Sequence, residues 1–443
     1  MKFSFKYWQA KLLNDKNLLR LIVIGFLART IIFLVFYPEA TVFPDSGGFF
    51  RLAKKMSTLS LEGYIGKRSP GYPLLILFAF GQYKLVAVYQ FLLGILNSLL
   101  WYKILLNLKF SRKFSFFTVL VMQSFINVIF YETAIIVESL SLFFISLSVY
   151  IITKHDYAKQ QSIRKEFYFS LILGFLVLVK PFFVYLPFLI YGLFTLKNFS
   201  IKNIINKRIV LLVFPVLMYL GWSYVNKVNT GFFVSTTYLG MNLSQNCVYF
   251  AEKAPKEYQW IAKPYAEYRE KTLSENRNVA MSLWNAYGEG HVFDQYNLTF
   301  SQLTNEFQKY AKATIAANPK DYAEQVIYRS WWDFWKPTTA WHLENFRFDW
   351  ARSLFSFIWK IQQQIIILVT VLFGVTTLVL SFLAIYKRKI NTAFMLACFV
   401  IVPSILQGLV TYGTNSKYSY PFDFLMLFVV LLFIKERKQL FAK

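Results

Sequence analysis

The stretch Leu21-Ile22-Val23-Ile24-Gly25-Phe26-Leu27-Ala28-Arg29-Thr30-Ile31-Ile32-Phe33-Leu34-Val35-Phe36-Tyr37-Pro38 decides the fold class. It follows a basic segment, is long enough to cross a bilayer as a helix, and lacks a small-residue cleavage site. It reads as a first membrane span rather than a cleavable signal. Nine more apolar segments follow, at about 84–108, 114–131, 134–153, 167–181, 182–196, 209–226, 362–386, 391–412 and 419–434. The fifth and sixth spans are short and meet at Lys180-Pro181, as in a bent hairpin. The tenth begins beside Pro421, which suits a first helical turn. Of 443 residues, 56% are hydrophobic and 16% charged, against about 45–50% and about 25% in soluble domains. That balance argues against an ordinary soluble enzyme and against a disordered chain.

The formal net charge is +25, and its distribution assigns it to topology. Segments 1–20, 109–113, 154–166, 197–208, 387–389 and 435–443 hold 23 Lys and Arg. Their acids are Asp15, Asp156, Glu166 and Glu436, which leaves +19. These segments alternate correctly for one side of a membrane, and the opposite short loops carry few bases. The positive-inside rule then places both termini in the cytoplasm. Nucleic acid is not an expected partner. Residues 1–226 read as an N-terminal transmembrane module with a long first outer loop, 39–83. Residues 227–361, with 15 bases and 13 acids, read as a small extracytoplasmic domain. Residues 362–443 read as the C-terminal transmembrane helices. The aromatic run Trp331, Trp332, Phe334 and Trp335 suits a headgroup belt, with acceptor binding as the alternative. The sequence is rich in Phe, Lys, Ile and Asn, a compositional hint of a low-GC bacterial source.

Cys247 and Cys398 are far apart, and His155, His291 and His342 are scattered, so no metal spacing or disulfide framework is legible. Among the acids, only Glu39, Asp45, Glu62, Glu132, Glu138 and Asp423 fall outside the outer domain and the basic loops. Each lies in the first outer loop or in a span near the outer surface. Carboxylates in or beside spans are expensive and mark function by default. On one continuous helix, Glu132 and Glu138 would lie roughly 240° apart, so they are not expected to face each other.

The sharpest pattern is in the first outer loop. Pro44-Asp45-Ser46-Gly47-Gly48-Phe49-Phe50-Arg51-Leu52-Ala53 is followed by Arg68-Ser69-Pro70-Gly71-Tyr72-Pro73-Leu74. Asp45 stands where an N-cap would stand, so capping and general-base chemistry are both open. Arg68 precedes a rigid turn, where it serves either as an interfacial anchor or as a phosphate ligand. Lys180 at the end of a short span has the same two readings. Glu138 suits either a structural hydrogen bond or a sugar contact.

These segments resemble bacterial integral-membrane glycosyltransferases of the GT-C class, whose relatives include the protein O-mannosyltransferases and the lipid A aminoarabinose transferases. The resemblance continues in order along the chain. It runs through Glu138-Ser139-Leu140, Asn229-Thr230-Gly231-Phe232, Gly240-Met241-Asn242-Leu243-Ser244-Gln245-Asn246 and Tyr418-Ser419-Tyr420-Pro421. Many relatives carry Asp-Glu where this chain has Asp45-Ser46, and Arg-Tyr where it has Lys417-Tyr418. The resemblance implies a GT-C-like bundle of about ten transmembrane helices. It also implies an inverting transferase that moves a sugar from a polyprenyl-phosphate donor to an acceptor hydroxyl, at the outer face of a bacterial cytoplasmic membrane. Asp45 is then the expected base, with Arg68 and Lys180 on the donor phosphate. Glu138, Tyr72, Asn242, Lys417 and Tyr418 are expected around donor or acceptor sugars. A glycan, a lipid or a protein is the acceptor. No cofactor is assigned, and a divalent cation is compatible but not demanded. No Asp-x-Asp pattern favours a nucleotide-sugar donor. An O-antigen ligase or polymerase, and a transporter or flippase of lipid-linked sugars, remain as alternatives. A ligase typically relies on loop arginines and a histidine, and a transporter on pseudo-symmetric halves with a midplane site.

Overall fold

The computed structural model describes residues 15–155, 157, 161–197 and 205–441. The chain is a polytopic α-helical membrane protein. Its helices are α1 (Lys16–Ile31), α2 (Ser46–Ser57), α3 (Gly71–Phe78), α4 (Tyr83–Asn107), α5 (Arg112–Gln123), α6 (Ile126–Thr133) and α7 (Glu138–Thr153). Then come α8 (Ile163–Val179), α9 (Tyr185–Lys197), α10 (Val213–Thr230), α11 (Leu239–Gln245), α12 (Gln259–Ser274), α13 (Ser282–Gly288), α14 (Phe300–Ala317) and α15 (Pro319–Gln325). The last three are α16 (Asp349–Tyr386), α17 (Thr392–Val410) and α18 (Asp423–Phe441).

All ten segments expected to be spans are largely helical, but they are not ten uniform rods. Among the described residues, six helical segments are long and apolar enough to cross a membrane: 16–36, 83–107, 207–230, 349–386, 392–410 and 416–440. A seventh span results if α5 and α6, bent by 55°, count as one. The expected span 114–131 is therefore broken, and α7 begins only at Glu138. The cause lies in residues 134–137. Their backbone leaves the helix to bond the first loop: Thr41 N donates to Thr133 O (3.0 Å) and Ile135 N to Thr41 O (2.9 Å). Residues 134–137 are Ala-Ile-Ile-Val and every residue from Ile126 to Leu142 is buried, so neither hydrophobicity nor burial carries a trace of the break.

The break also corrects the reasoning about Glu132 and Glu138, which sit on different helices. Glu132 turns into the bundle and makes a two-point ion pair with Arg29 of α1 (2.6 and 2.8 Å). Both side chains are 2% exposed. Glu138 opens α7 and faces Lys180 at the end of α8 instead. The eighth expected span also changes. Helix α16 starts at Asp349, because Ala351 and Phe355 pack with Tyr37, Phe130 and Phe346. Its first turns thus continue a helix that the sequence reading divided at residue 362.

Among the described residues, the two largest of four buried clusters organise the fold. One fills the helical bundle, with Trp101, Tyr131, Phe169, Phe373 and Phe428 buried in it. The second belongs to the segment after α10, where Phe250, Tyr265, Phe307 and Tyr310 are buried between α12, α13 and α14. A reciprocal Thr299–Gln302 capping box starts α14. This second core is fastened to the bundle through Asn246, which donates to Gly408 O (3.1 Å) and accepts from Ser330 Oγ (2.6 Å). The aromatic run divides between surface and interior: Trp332 is exposed, Phe334 is buried, and Trp331 Nε1 donates to Ser404 Oγ (3.0 Å).

Candidate active site

A cavity of about 460 Å³ opens where five parts of the chain converge. These are the first loop with α2, the start of α7, the α8–α9 junction, the α11–α13 region and the turn before α18. Five basic side chains line it, Arg51, Lys67, Arg68, Lys180 and Lys417, against two carboxylates, Asp45 and Glu138. The lining is therefore net +3, which favours an anionic ligand.

Asp45 is the hub. Its backbone is already helical, and its side chain makes no capping bond. Capping therefore does not account for it. Neighbouring Ser46 ties the loop down instead: its Oγ accepts from Phe43 N (2.9 Å) and donates to Ile135 O (2.7 Å). The Asp45 carboxylate accepts from Arg68 Nη2 (2.7 Å) and from Lys417 Nζ (2.9 Å). Burial alone would raise its pKa. The Lys417 ammonium and the Arg68 guanidinium outweigh that and hold it well below the usual carboxylate range.

Arg68 does not reach out to lipid. Its side chain is 14% exposed, and its guanidinium sits between the rings of Phe49 (4.7 Å) and Tyr238 (4.8 Å). Tyr64 fixes its backbone, accepting from Arg68 N (2.9 Å) and donating to Arg68 O. Two glycines make room. A Cβ on Gly48 would stand 2.9 Å from Arg68 Nε. A Cβ on Gly71 would collide with the backbone of Leu178 and Val179, so this glycine lets the loop lie against the end of α8. Ser69 Oγ completes that seam on Val179 O (3.2 Å).

The same seam positions Lys180, whose extended backbone ends α8. Its Nζ lies 3.8 Å from Glu138 Oε1 and 3.2 Å from the centre of the Tyr418 ring. Tyr418 therefore separates Lys180 from Lys417, and all three line the cavity with Asn242. The turn carrying Lys417 is anchored by buried Asn415, whose Nδ2 donates to Ser330 O (2.9 Å) and Thr411 O (2.8 Å). Asp45, Arg68, Lys180, Glu138, Asn242, Lys417 and Tyr418 are thus brought together. Tyr72 is not. It is fully buried, donates to Gln90 Oε1 (3.0 Å) and supports Phe49 edge-on (5.0 Å), so it lies behind the cavity wall. Arg51, Lys67, Tyr238 and Trp284 also line the cavity and were not singled out by sequence. The signals were local: Lys67 adjoins Arg68, Arg51 shares a helix with Asp45, and Tyr238 lies between two of the matched segments.

A divalent cation does not fit the Asp45 centre. Both carboxylate oxygens are taken by cationic groups, Glu138 faces Lys180, and three positive charges surround the pair. Among the described residues no group of three His, Cys, Asp or Glu is placed to hold a metal. His291 pairs locally with Asp294 (3.1 Å), and His342 contacts Val42 O (3.1 Å).

No match was found among curated proteins or among solved structures. Residues 59–229 match the dolichyl-phosphate-mannose-protein mannosyltransferase family. The matched stretch contains Arg68, Glu138 and Lys180, and Asp45 and Lys417 lie outside it. This match indicates a glycosyltransferase and supports the resemblance of the chain to the GT-C class.

Proposed function

We propose that the protein transfers a sugar, mannose in the first instance, from a polyprenyl-phosphate donor to an acceptor hydroxyl, with inversion. The single observation that carries this reading is the carboxylate of Asp45 held between Arg68 and Lys417 in a net-positive cavity that also contains Lys180. Asp45 takes the proton of the acceptor hydroxyl as its oxygen attacks the anomeric carbon. The bond from that carbon to the phosphate oxygen breaks, and the lipid phosphate leaves with one more negative charge. Arg68, Lys180 and Lys417 stabilise that charge without needing a metal. Between two cations Asp45 is a weak base. A donor phosphate that shares those cations restores its basicity, so base strength rises when the donor is in place. Glu138, Asn242 and Tyr418 supply hydrogen bonds and a ring face for the sugar.

The cavity is lined by the first loop and by residues around α11 and α13, and the charge pattern of the sequence assigns both of these to the side opposite the basic loops. The charge distribution supports an extracytoplasmic site with both termini in the cytoplasm of a bacterial inner membrane. The matched family's description supports a protein acceptor. The test is transfer by the purified protein in nanodiscs from polyprenyl-phosphate mannose, glucose and aminoarabinose and from a nucleotide mannose. Consumption of a lipid-phosphate sugar is expected. Turnover of the nucleotide sugar alone would overturn the reading.

A further inference from the structure

The cavity holds more positive charge than a lipid phosphate needs. Arg68 and Lys417 bind Asp45, and Lys180 stands beside Glu138. Arg51 and Lys67 form a second cationic group, on the wall shared by α2 and the segment after α10. Neither makes a hydrogen bond or ion pair to a carboxylate among the described residues. Lys67 Nζ instead lies 3.7 Å from the centre of the Phe300 ring and 5.7 Å from that of Tyr238. Tyr238 packs edge-on to Trp284 (5.5 Å) and Phe300 (5.8 Å), so the ammonium rests on a rigid aromatic floor. Burial, with the like charges of Arg51 and Arg68, lowers Lys67 to about 8. Two cations set side by side with no internal acid store repulsion that an incoming anion relieves.

We infer that Arg51 and Lys67 bind a carboxylate next to the reacting hydroxyl of the acceptor, so that the protein selects Ser or Thr flanked by Asp or Glu in a peptide chain. The inference rests on the proposed transfer to protein and adds the acceptor's charge to it. The aromatic floor of Tyr238 and Trp284 gives the neighbouring peptide residues an apolar surface to lie on, while Asp45 on the same cavity wall receives the hydroxyl proton.

The test uses the full chain in nanodiscs and fluorescent peptides of one length, with a central Ser flanked by Asp, Asn or Lys. Binding is read by anisotropy, and transfer is read with polyprenyl-phosphate mannose. A preference for Asp over Asn of about tenfold is expected in both, the size of one charge-assisted hydrogen bond. Arg51→Glu and Lys67→Glu together should reverse the order in favour of the Lys peptide. Arg51→Gln and Lys67→Gln should flatten it. Equal binding of the Asp, Asn and Lys peptides overturns the inference, as does an acidic glycan accepted in preference to every peptide. Failure to consume any lipid-phosphate sugar, with the peptide preference intact, would instead strike the proposed donor chemistry and leave the anion site standing.

Discussion

Replacing Asp45 by Asn tests the centre of the site. The carboxylate makes two ion pairs, at 2.7 Å to Arg68 and 2.9 Å to Lys417. The amide keeps one acceptor oxygen and turns an NH2 toward the other cation, so one of the two bonds is lost. Arg68 and Lys417, 14% and 29% exposed in their side chains, then lack a full partner. The expected destabilisation is about 1–3 kcal/mol, small enough for the bundle to remain folded. Removing the base should cost at least about 100-fold in turnover, or about 2.7 kcal/mol of barrier. Donor affinity should move the other way. The lining goes from net +3 to about net +4, so the lipid phosphate should bind as well as before or more tightly. The assay combines single-turnover transfer, equilibrium donor binding and thermal unfolding in nanodiscs. Transfer within about tenfold of wild type would remove Asp45 from the chemistry. Parallel loss of turnover and donor binding in a folded variant would make it a clamp for Arg68 instead.

Arg68→Lys should keep part of the donor affinity, because the charge remains while the planar fork and its stacking between Phe49 and Tyr238 are lost. Arg68→Ala should lose both donor affinity and rate, and equal donor binding in Ala and wild type would deny it a phosphate role. Arg29→Met strands Glu132 in the bundle and should cost about 3–5 kcal/mol, whereas Arg29→Met with Glu132→Leu should recover most of that. Thermal unfolding of the single and double variants decides, and a single-variant loss below about 1 kcal/mol would show that the pair is not a fixed structural element. The preference for acidic peptides should be full well below pH 8 and should fall as the Lys67 ammonium loses its proton above that value. A preference that stays flat to pH 10 would remove Lys67 from acceptor binding. Cysteine placed at Glu270 should react with an impermeant reagent from outside and cysteine placed at Lys154 should not; the reverse result would invert the proposed orientation.

The sequence by itself determined the membrane class and nearly all the helices, because a helix in lipid must satisfy its own backbone and needs a long apolar run to do so. It also identified most of the charged groups in the cavity. Carboxylates and bases are costly near a bilayer, and few of them lie outside the loops and the polar segment. Tertiary structure decided how these groups are used. Asp45 sits at a helix start, and only the fold shows that its carboxylate turns from the helix end toward Arg68 and Lys417. Tyr72 stands in the sharpest motif, yet packing turns its hydroxyl inward to Gln90. The break falls at Ala134-Ile135-Ile136-Val137, an apolar run, and hydropathy cannot separate a helix from extended backbone that bonds a distant loop. Lys417 meets Asp45 across 372 positions of sequence. Local pattern carries no information on such a pair, because the packing of the bundle brings the two together.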